Sequence, residues 1–325
     1  MLVSTKMKRL KTIIIGLGTG VLYAFLTMFI VQNSHRTVSI GYVFALPLIL
    51  GAIPVILSTK EQLKSYLTYL ILPWISVLTF FYLSFITGFE GLICLVIIVG
   101  PFLLLGSLGA FIFRLIKLKS KGDNSSRLYI SLSIPLIILA AESFITPDDH
   151  YGTVTTKISI GADKNTVWNN IKNVKNITEH EIQPHFIHMI GIPKPLNGEL
   201  DFEGLGATRS ITWEKGVKFK EQITKWNEGT GFEYDIVINP DDIPPKTLDE
   251  HVMIGGKYFD AVRGSYSIRT VDETTQEVTL TSTYRITSTV NFYGMFWTEF
   301  IFEDFHDMIL EVVKGRCENT ANTTL

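Results

Sequence analysis

Two kinds of hydrophobic pattern divide the chain. Up to about residue 146 the apolar residues run in long uncharged blocks, and beyond it they alternate with polar residues or recur at helical spacing. A block of roughly 20 apolar residues suits a helix crossing about 30 Å of hydrocarbon, where every backbone polar group must be paired within the segment. Segments at about 12–32, 38–57, 66–87, 91–116 and 128–145 fit, the last being the shortest. From Thr153 the alternation predicts a strand, short helices, strands near 199–213, 217–226, 231–238, 257–270 and 277–288, and a long helix from about Asn291 to Lys314. Asp163 suits the N-cap of the first short helix, which carries Val167, Trp168 and Ile171 at helical spacing. TPDDHYGT, residues 146–153, combines Pro, Gly and paired acids as boundaries do. The resulting division is a membrane region 1–146, a linker 147–152, a folded domain 153–316 and a disordered tail 317–325.

One stretch breaks the alternation in an informative way. In GATRSITWEKGVKFKEQI, starting at Gly206, Arg209 and Glu221 share the parity of Ile211, Trp213, Val217, Phe219 and Ile223. WEKGV fits a three-residue hairpin loop with Gly216 in the left-handed conformation. Trp213 then faces Val217, Ile211 faces Phe219, and Arg209 faces Glu221. An unpaired charge on the inner side of a sheet costs several kcal/mol, on the order of the desolvation penalty, which a hydrogen-bonded Arg–carboxylate pair offsets. The pair serves either as a register-fixing ion pair or as the polar patch of an apolar pocket.

Composition and charge narrow the classes. With 325 residues, 46% hydrophobic and 18% charged, and a mean hydropathy of +0.27, the chain reads as part membrane protein and part water-soluble domain. A net charge of -2 gives no basic surface for nucleic acid. Cys94 and Cys317 form neither a disulfide framework nor a metal spacing. Basic residues cluster before the first segment (Lys6, Lys8, Arg9, Lys11), after the second (Lys60, Lys64) and after the fourth (Arg114, Lys117, Lys119, Lys121, Arg127), whereas the alternate loops hold only Arg36. Five crossings then place the N-terminus in the cytoplasm and the C-terminal domain on the extracytoplasmic side of the cell membrane, and the side hangs on 128–145. The first segment is too long for a cleaved signal peptide. Its GLGTG lies inside an apolar helix, without the strand that a dinucleotide fingerprint needs. The segment interiors hold no Asp, Lys or Arg, and Glu142 stands near an end, so an anchor is favoured over a transporter.

The order strand, short helices, strands, long helix, together with KISIGADKNTVWNNI, GGKYFDAVRGSYSI, STYRITSTVNFY and FEDFHDMILEVVKGR, resembles the START-related, birch-pollen-allergen-like SRPBCC superfamily of polyketide cyclases and lipid-transfer proteins. The resemblance covers about 153–316. It implies an α+β helix-grip fold, a curved antiparallel sheet around the long C-terminal helix with a ligand cavity between them, here following a membrane α-helical bundle. It does not imply one chemistry.

On that reading the pocket residues are Arg209, Ile211, Phe219, Glu221, Tyr258, Tyr266, Tyr284, His185 and Trp297. Parity groups Val278, Leu280, Ser282, Tyr284 and Ile286 on one face of 277–288. It groups Tyr258, Asp260, Val262, Gly264, Tyr266 and Ile268 on one face of 257–270, with Phe259, Ala261 and Arg263 opposite. In the helix opening NFYGMFWTEFIF, Phe292, Tyr293, Phe296, Trp297 and Phe300 are read first as core, with capping of the cavity mouth and docking on the membrane half as the alternatives. His180, His185 and His188 lack the convergent set that zinc needs, so neither a metal nor another cofactor is expected. The expected function is membrane-anchored binding or transfer of a hydrophobic small molecule or lipid, with the bilayer and that ligand as partners. The competing readings are a cyclase- or aromatase-like enzyme using Glu221, Tyr284 or His185 in proton transfer, and a ligand sensor acting on the membrane bundle. Pairing with Arg209 is expected to lower the pKa of Glu221 and make it a poor base near neutrality. An enzyme is therefore the less favoured class.

Overall fold

The computed structural model describes residues 2–33, 38–120, 130–245 and 247–323. Among the basic residues used above, Arg36, Lys121 and Arg127 lie outside these residues, as do the side chains of Lys6, Lys8 and Arg9. The chain divides into two compact units, Met1–Asp148 and Asp149–Leu325.

The first unit is helical throughout its described elements: α1 (Leu2–Asn33), α2 (Leu46–Leu57, entered through a π turn at Gly41–Ala45), α3 (Leu72–Ile86), α4 (Leu92–Lys119) and α5 (Ile134–Glu142). Among the described residues, Leu10–Asn33, Leu67–Ile86 and Leu92–Lys119 are long and apolar enough to cross a membrane, while Gly41–Leu57 and Ser131–Glu142 are shorter apolar helices. The segment expected at 128–145 is thus helical over about two thirds of its length, Ser131–Glu142, with 128 and 129 outside the described residues. Helices α2 and α4 touch backbone to backbone. A Cβ on Gly51 would stand 2.0 Å from the Gly106 carbonyl oxygen, and one on Gly109 would stand 1.9 Å from that of Leu48.

Polar contacts mark two ends of this bundle. At one end Arg114 Nε donates to the Leu63 carbonyl at 2.8 Å, Lys117 Nζ to that of Ser58 at 2.6 Å, and Lys60 Nζ to that of Ser120 at 2.6 Å. At the other, Gln32 Nε2 donates to the Phe89 carbonyl at 3.1 Å. There the Glu142 carboxylate accepts the backbone N–H groups of Ile40 at 2.7 Å and Gly41 at 2.8 Å. Glu142, expected merely near a span end, is buried and caps the helix that leads into α2, where a carboxylate satisfies donors the helix itself cannot. Leu132, just before α5, packs with Ala52, Ile56 and Phe113. The chain from Leu132 to Glu142 therefore runs alongside the second helix, from its Ile56 end back to its Gly41 end.

The second unit is a helix-grip arrangement. Its strands are β1 (Asp149–Ile160), β2 (Pro195–Leu200), β3 (Thr208–Trp213), β4 (Lys218–Asn227), β5 (Gly231–Val237), β6 (Phe259–Thr270) and β7 (Gln276–Thr287), and its helices are α6 (Lys164–Lys172), α7 (Phe186–Met189) and α8 (Asn291–Thr323). The sheet runs β1-β7-β6-β5-β4-β3-β2, every pair antiparallel. Asp163 caps α6 by accepting from the N–H groups of Asn165 and Thr166. Met308, Ile309, Leu310, Val312 and Val313 of α8 pack with Ile160, Phe232, Tyr266, Val278 and Leu280 of the sheet.

Four expectations are corrected. Residues 149–152 are not linker: they open β1 and pair with Thr287 to Tyr284 of β7, because alternation in DHYGTV outweighs the composition of the turn formers before it. Residues 317–323 are not a disordered tail but the end of α8, where buried Cys317 joins the core and Glu318 accepts the Gly161 N–H at 3.0 Å. The strand expected at 199–213 is two, β2 and β3, joined through a turn containing Gly204 and Gly206 at positive φ. In β6 the register shifts between Ala261 and Arg263. That bulge puts Phe259 and Ala261 on the packed side beyond it, so Tyr258 and Asp260 do not share a face with Tyr266.

Candidate functional site

The parity of β3 and β4 fixes the site. Inward positions read Ala207, Arg209, Ile211, Trp213 on one strand and Ile223, Glu221, Phe219, Val217 on the other, and the register opposes Arg209 to Glu221 and Ile211 to Phe219. The loop between them has Gly216 at φ 80, with Lys215 also left-handed at φ 55, and Trp213 N–H donates to the Val217 carbonyl at 2.8 Å. The result is a buried ion pair. Arg209 Nη1 donates to Glu221 Oε2 at 3.0 Å, with 3% and 7% of the two residues exposed.

Around the pair, apolar residues fall into two clusters. Ala207, Ile223, Phe232, Tyr234 and Tyr266 belong to one. Ile211, Trp213, Val217 and Ala261 belong to the other, with Phe219 packed against it. The guanidinium lies at their seam, 5.7 Å from the ring centres of both Phe232 and Tyr266. Gly198 on β2 makes room, since a Cβ there would stand 3.1 Å from Arg209 Nη2. Tyr234 lies across the register-paired Gly264, where a Cβ would meet its hydroxyl at 2.3 Å, and Tyr284 lies across Gly152 in the same way. Arg209 Nε is buried with no well-aligned hydrogen-bond partner, the Tyr266 hydroxyl lying close enough to the guanidinium to interact with it.

Burial dominates the electrostatics. It raises the Glu221 carboxyl above its ordinary value by more than the attraction of Arg209 lowers it, so the expected fall is not found. Burial also pulls Arg209 down, but Glu221 and the neighbouring Tyr266 and Tyr234 outweigh that and hold its pKa above the ordinary value. Burial raises Tyr234 well above its usual range and pushes Tyr266 up to about 12.

The remaining sequence candidates separate. Ile211 and Phe219 flank the ion pair on the second cluster. Tyr284 is fully buried, packs with Val154 and Ile286, and donates its hydroxyl to Glu299 of α8 at 3.2 Å. Tyr258 lies away from Tyr266 and packs against the His251 ring at 5.3 Å. His185 binds α8, with Nδ1 3.0 Å from Asp304 Oδ1 and Nε2 3.4 Å from Glu311 Oε2. Asp304 also accepts the Ile187 N–H at 2.9 Å. Trp297 stacks on Phe186 at 6.5 Å. Only Arg209, Glu221, Ile211, Phe219 and Tyr266 gather at one place. The stretch 182–192 spans both clusters, Ile182 packing on the first and Ile192 on the second, and the His185–Asp304 contact fastens it to α8.

Two residues escaped sequence reasoning. Tyr234 shares parity with Phe232 and Ile236 in 231–238, a signal that was present. His306 had none, since its partners are distant in sequence. It is fully buried, with Nδ1 3.1 Å from Thr156 Oγ1 and Nε2 2.8 Å from Ser282 Oγ, which pins α8 to β1 and β7. The core face expected for Phe292, Phe296 and Phe300 is corrected: all three are exposed, because α8 buries its opposite side and later turns.

No protein-family model matches the sequence, and no curated protein does. Solved structures do overlay. A START superfamily protein from Mycobacterium smegmatis is 8% identical, covering 52% of this chain and 98% of its own at a TM-score of 0.34. An aromatase/cyclase from Streptomyces is 13% identical, covering 53% and 96% at 0.33. A truncated norcoclaurine synthase from Thalictrum flavum is 8% identical, covering 51% and 93% at 0.32. Likenesses this remote transfer no residue role.

Burial pushes His306 down to about 4 from 6.5, so the folded protein holds it neutral while the unfolded chain takes up a proton below about pH 6.5. Stability should be full above pH 6.5 and fall as pH drops toward 4, by up to roughly 3 kcal/mol. Denaturant unfolding of the full chain at pH 7 and pH 4.5 checks this, and His306→Asn should flatten the slope. An unchanged slope in that variant would refute the assignment.

Proposed function

We propose that the chain is a membrane-anchored binding protein whose C-terminal unit takes up a hydrophobic small molecule or lipid, held at its polar end by Arg209. The observation that carries this reading is Arg209 Nε, a buried donor of a charged group without a well-aligned partner at the seam between two apolar clusters. An unmade hydrogen bond there costs about 1–3 kcal/mol or more, which a ligand oxygen accepting from Nε removes. Glu221 neutralises the guanidinium without using that donor. An acceptor such as a hydroxyl, carbonyl or carboxylate is therefore what the site selects. The apolar part of the ligand supplies affinity by burial, at about 25 cal/mol per Å² before ordering costs. A guest reaches this donor by displacing the 182–192 stretch, which packs on both clusters, and release of His185 from Asp304 is the opening step.

A second reading, a cyclase-like enzyme, draws support from the raised Glu221 carboxyl, which suits a general base better than the lowered value expected from its pairing. Glu221→Gln would then keep the bound species but lose its conversion.

The N-terminal unit supplies the anchor. Three of its helices have the length and hydropathy to cross a bilayer, and the basic contacts of Lys60, Arg114 and Lys117 crown the end opposite Glu142. Because the chain leaves α5 at the Glu142 end, the positive-inside rule assigns the N-terminus to the cytoplasm and the C-terminal unit to the extracytoplasmic side.

Two experiments test these points. Native mass spectrometry of the full chain, extracted gently from its own membrane, should show a bound apolar species. Arg209→Met with Glu221→Leu, which replaces the pair by apolar residues of similar volume, should lose that species while retaining the fold. A double variant that binds as the parent does removes Arg209 as the anchor. For the side, Glu273→Cys in a Cys94→Ala, Cys317→Ala background should react with a membrane-impermeant maleimide in intact cells, and labelling only after lysis reverses the orientation.

A further inference from the structure

The first turns of α8 and the single-turn helix α7 share an apolar surface that the core does not use. Met189 is 76% exposed, Phe296 62% and Phe300 41%. The patch is continuous through Phe186, whose ring meets Phe300 edge-on at 5.3 Å and stacks on Trp297 at 6.5 Å. Trp297 in turn meets Phe296 at 5.8 Å, and Met189 follows Phe186 by one turn of α7.

The polar groups next to this patch are occupied elsewhere. Glu299 accepts the Tyr284 hydroxyl at 3.2 Å. Asp304 is bound to His185 and to the Ile187 N–H, and His188 Nδ1 lies 3.0 Å from the Ile192 carbonyl. A face of Phe and Met with no hydrogen-bonding side chain among its exposed members lacks the Tyr, Arg and directional polar contacts that protein interfaces collect. It fits a partner that asks only for apolar area. Water-exposed patches of this kind mark interaction sites.

Chain length says which partner is in reach. Six residues, 143–148, separate Glu142, the end of α5, from Asp149, the start of β1, so the seven steps between them span at most about 25 Å. We propose that this aromatic patch docks into a neutral bilayer surface, holding the 182–192 stretch at the lipid interface, where an apolar guest would pass without crossing water. Neutral lipid is specified because the exposed charges that flank Phe300 along α8, on Glu299 and Glu303, are acidic and give no attraction to anionic headgroups. The proposal rests on the reading that the N-terminal unit spans the bilayer.

The test uses the full chain in phosphatidylcholine nanodiscs, with Cys94→Ala and Cys317→Ala and a single nitroxide at one of four positions. Met189→Cys and Phe296→Cys sample the patch. Leu78→Cys, exposed on α3, samples the proposed span. Glu273→Cys samples the β6–β7 turn, at the other end of β7 from the start of α8. Power saturation compares relaxation by oxygen with relaxation by a water-soluble nickel chelate. The proposal expects oxygen to exceed nickel several-fold at 189, 296 and 78, and the reverse at 273. Nickel-dominated relaxation at 189 and 296 with oxygen-dominated relaxation at 78 overturns the docking and leaves the anchor standing. Nickel dominance at 78 overturns the anchor itself. Shielding of 189 and 296 from both reagents means that a protein surface covers the patch, which also overturns the proposal.

Discussion

A buried charge must be matched, and in the C-terminal unit that constraint organises everything around it. Arg209 and Glu221 sit where β3 and β4 would otherwise continue an apolar face, and they meet only in one register. A slip of either strand by one residue would turn its charge, and every inward apolar residue of that strand, to the other side. The pair divides the interior into two apolar clusters. Phe232 and Tyr266 lie over the guanidinium, and the glycines at 198 and 264 make the space that it and Tyr234 need. Three features of the site follow from this: a raised Glu221, an Arg209 held above its ordinary pKa, and a buried Arg209 Nε without a well-aligned partner.

What could be read from the sequence was what depends on local period. The opposition of Arg209 to Glu221, the left-handed Gly216 and the Asp163 cap each follow from spacing within a few residues. The failures come from long-range geometry. One extra residue in β6 reverses the faces of Tyr258 and Phe259, and no composition signal marks it. Residues 149–152 look like a linker until β7 pairs with them. His306 has an ordinary helical position, and its meaning comes from Thr156 and Ser282 on two strands. The opening of α8 is aromatic nearly all round, so periodicity could not tell which side the sheet would leave bare.

The two units make different uses of one rule. In the N-terminal unit Glu142 is buried because two backbone N–H groups at Ile40 and Gly41 need an acceptor. In the C-terminal unit Glu221 is buried because Arg209 needs a counter-charge. The first contact fixes the end of the bundle from which the chain departs, and the second gives the domain beyond it a polar point in an apolar interior. Beside these two contacts, the chain between Ile182 and Ile192 packs on both clusters of the C-terminal unit.

The central claim, that the interior is built around a paired charge, is tested most directly by a double-mutant cycle. Full-length protein in detergent is unfolded with denaturant and followed by tryptophan fluorescence, to which Trp168, Trp213 and Trp226 of the two clusters contribute. Arg209→Met and Glu221→Leu, made singly, should each cost about 3–5 kcal/mol because each strands a buried charge, while the double variant should lose far less than their sum. Losses that simply add, or single variants as stable as the parent, would mean that the two charges are solvated and independent, and the account would fail.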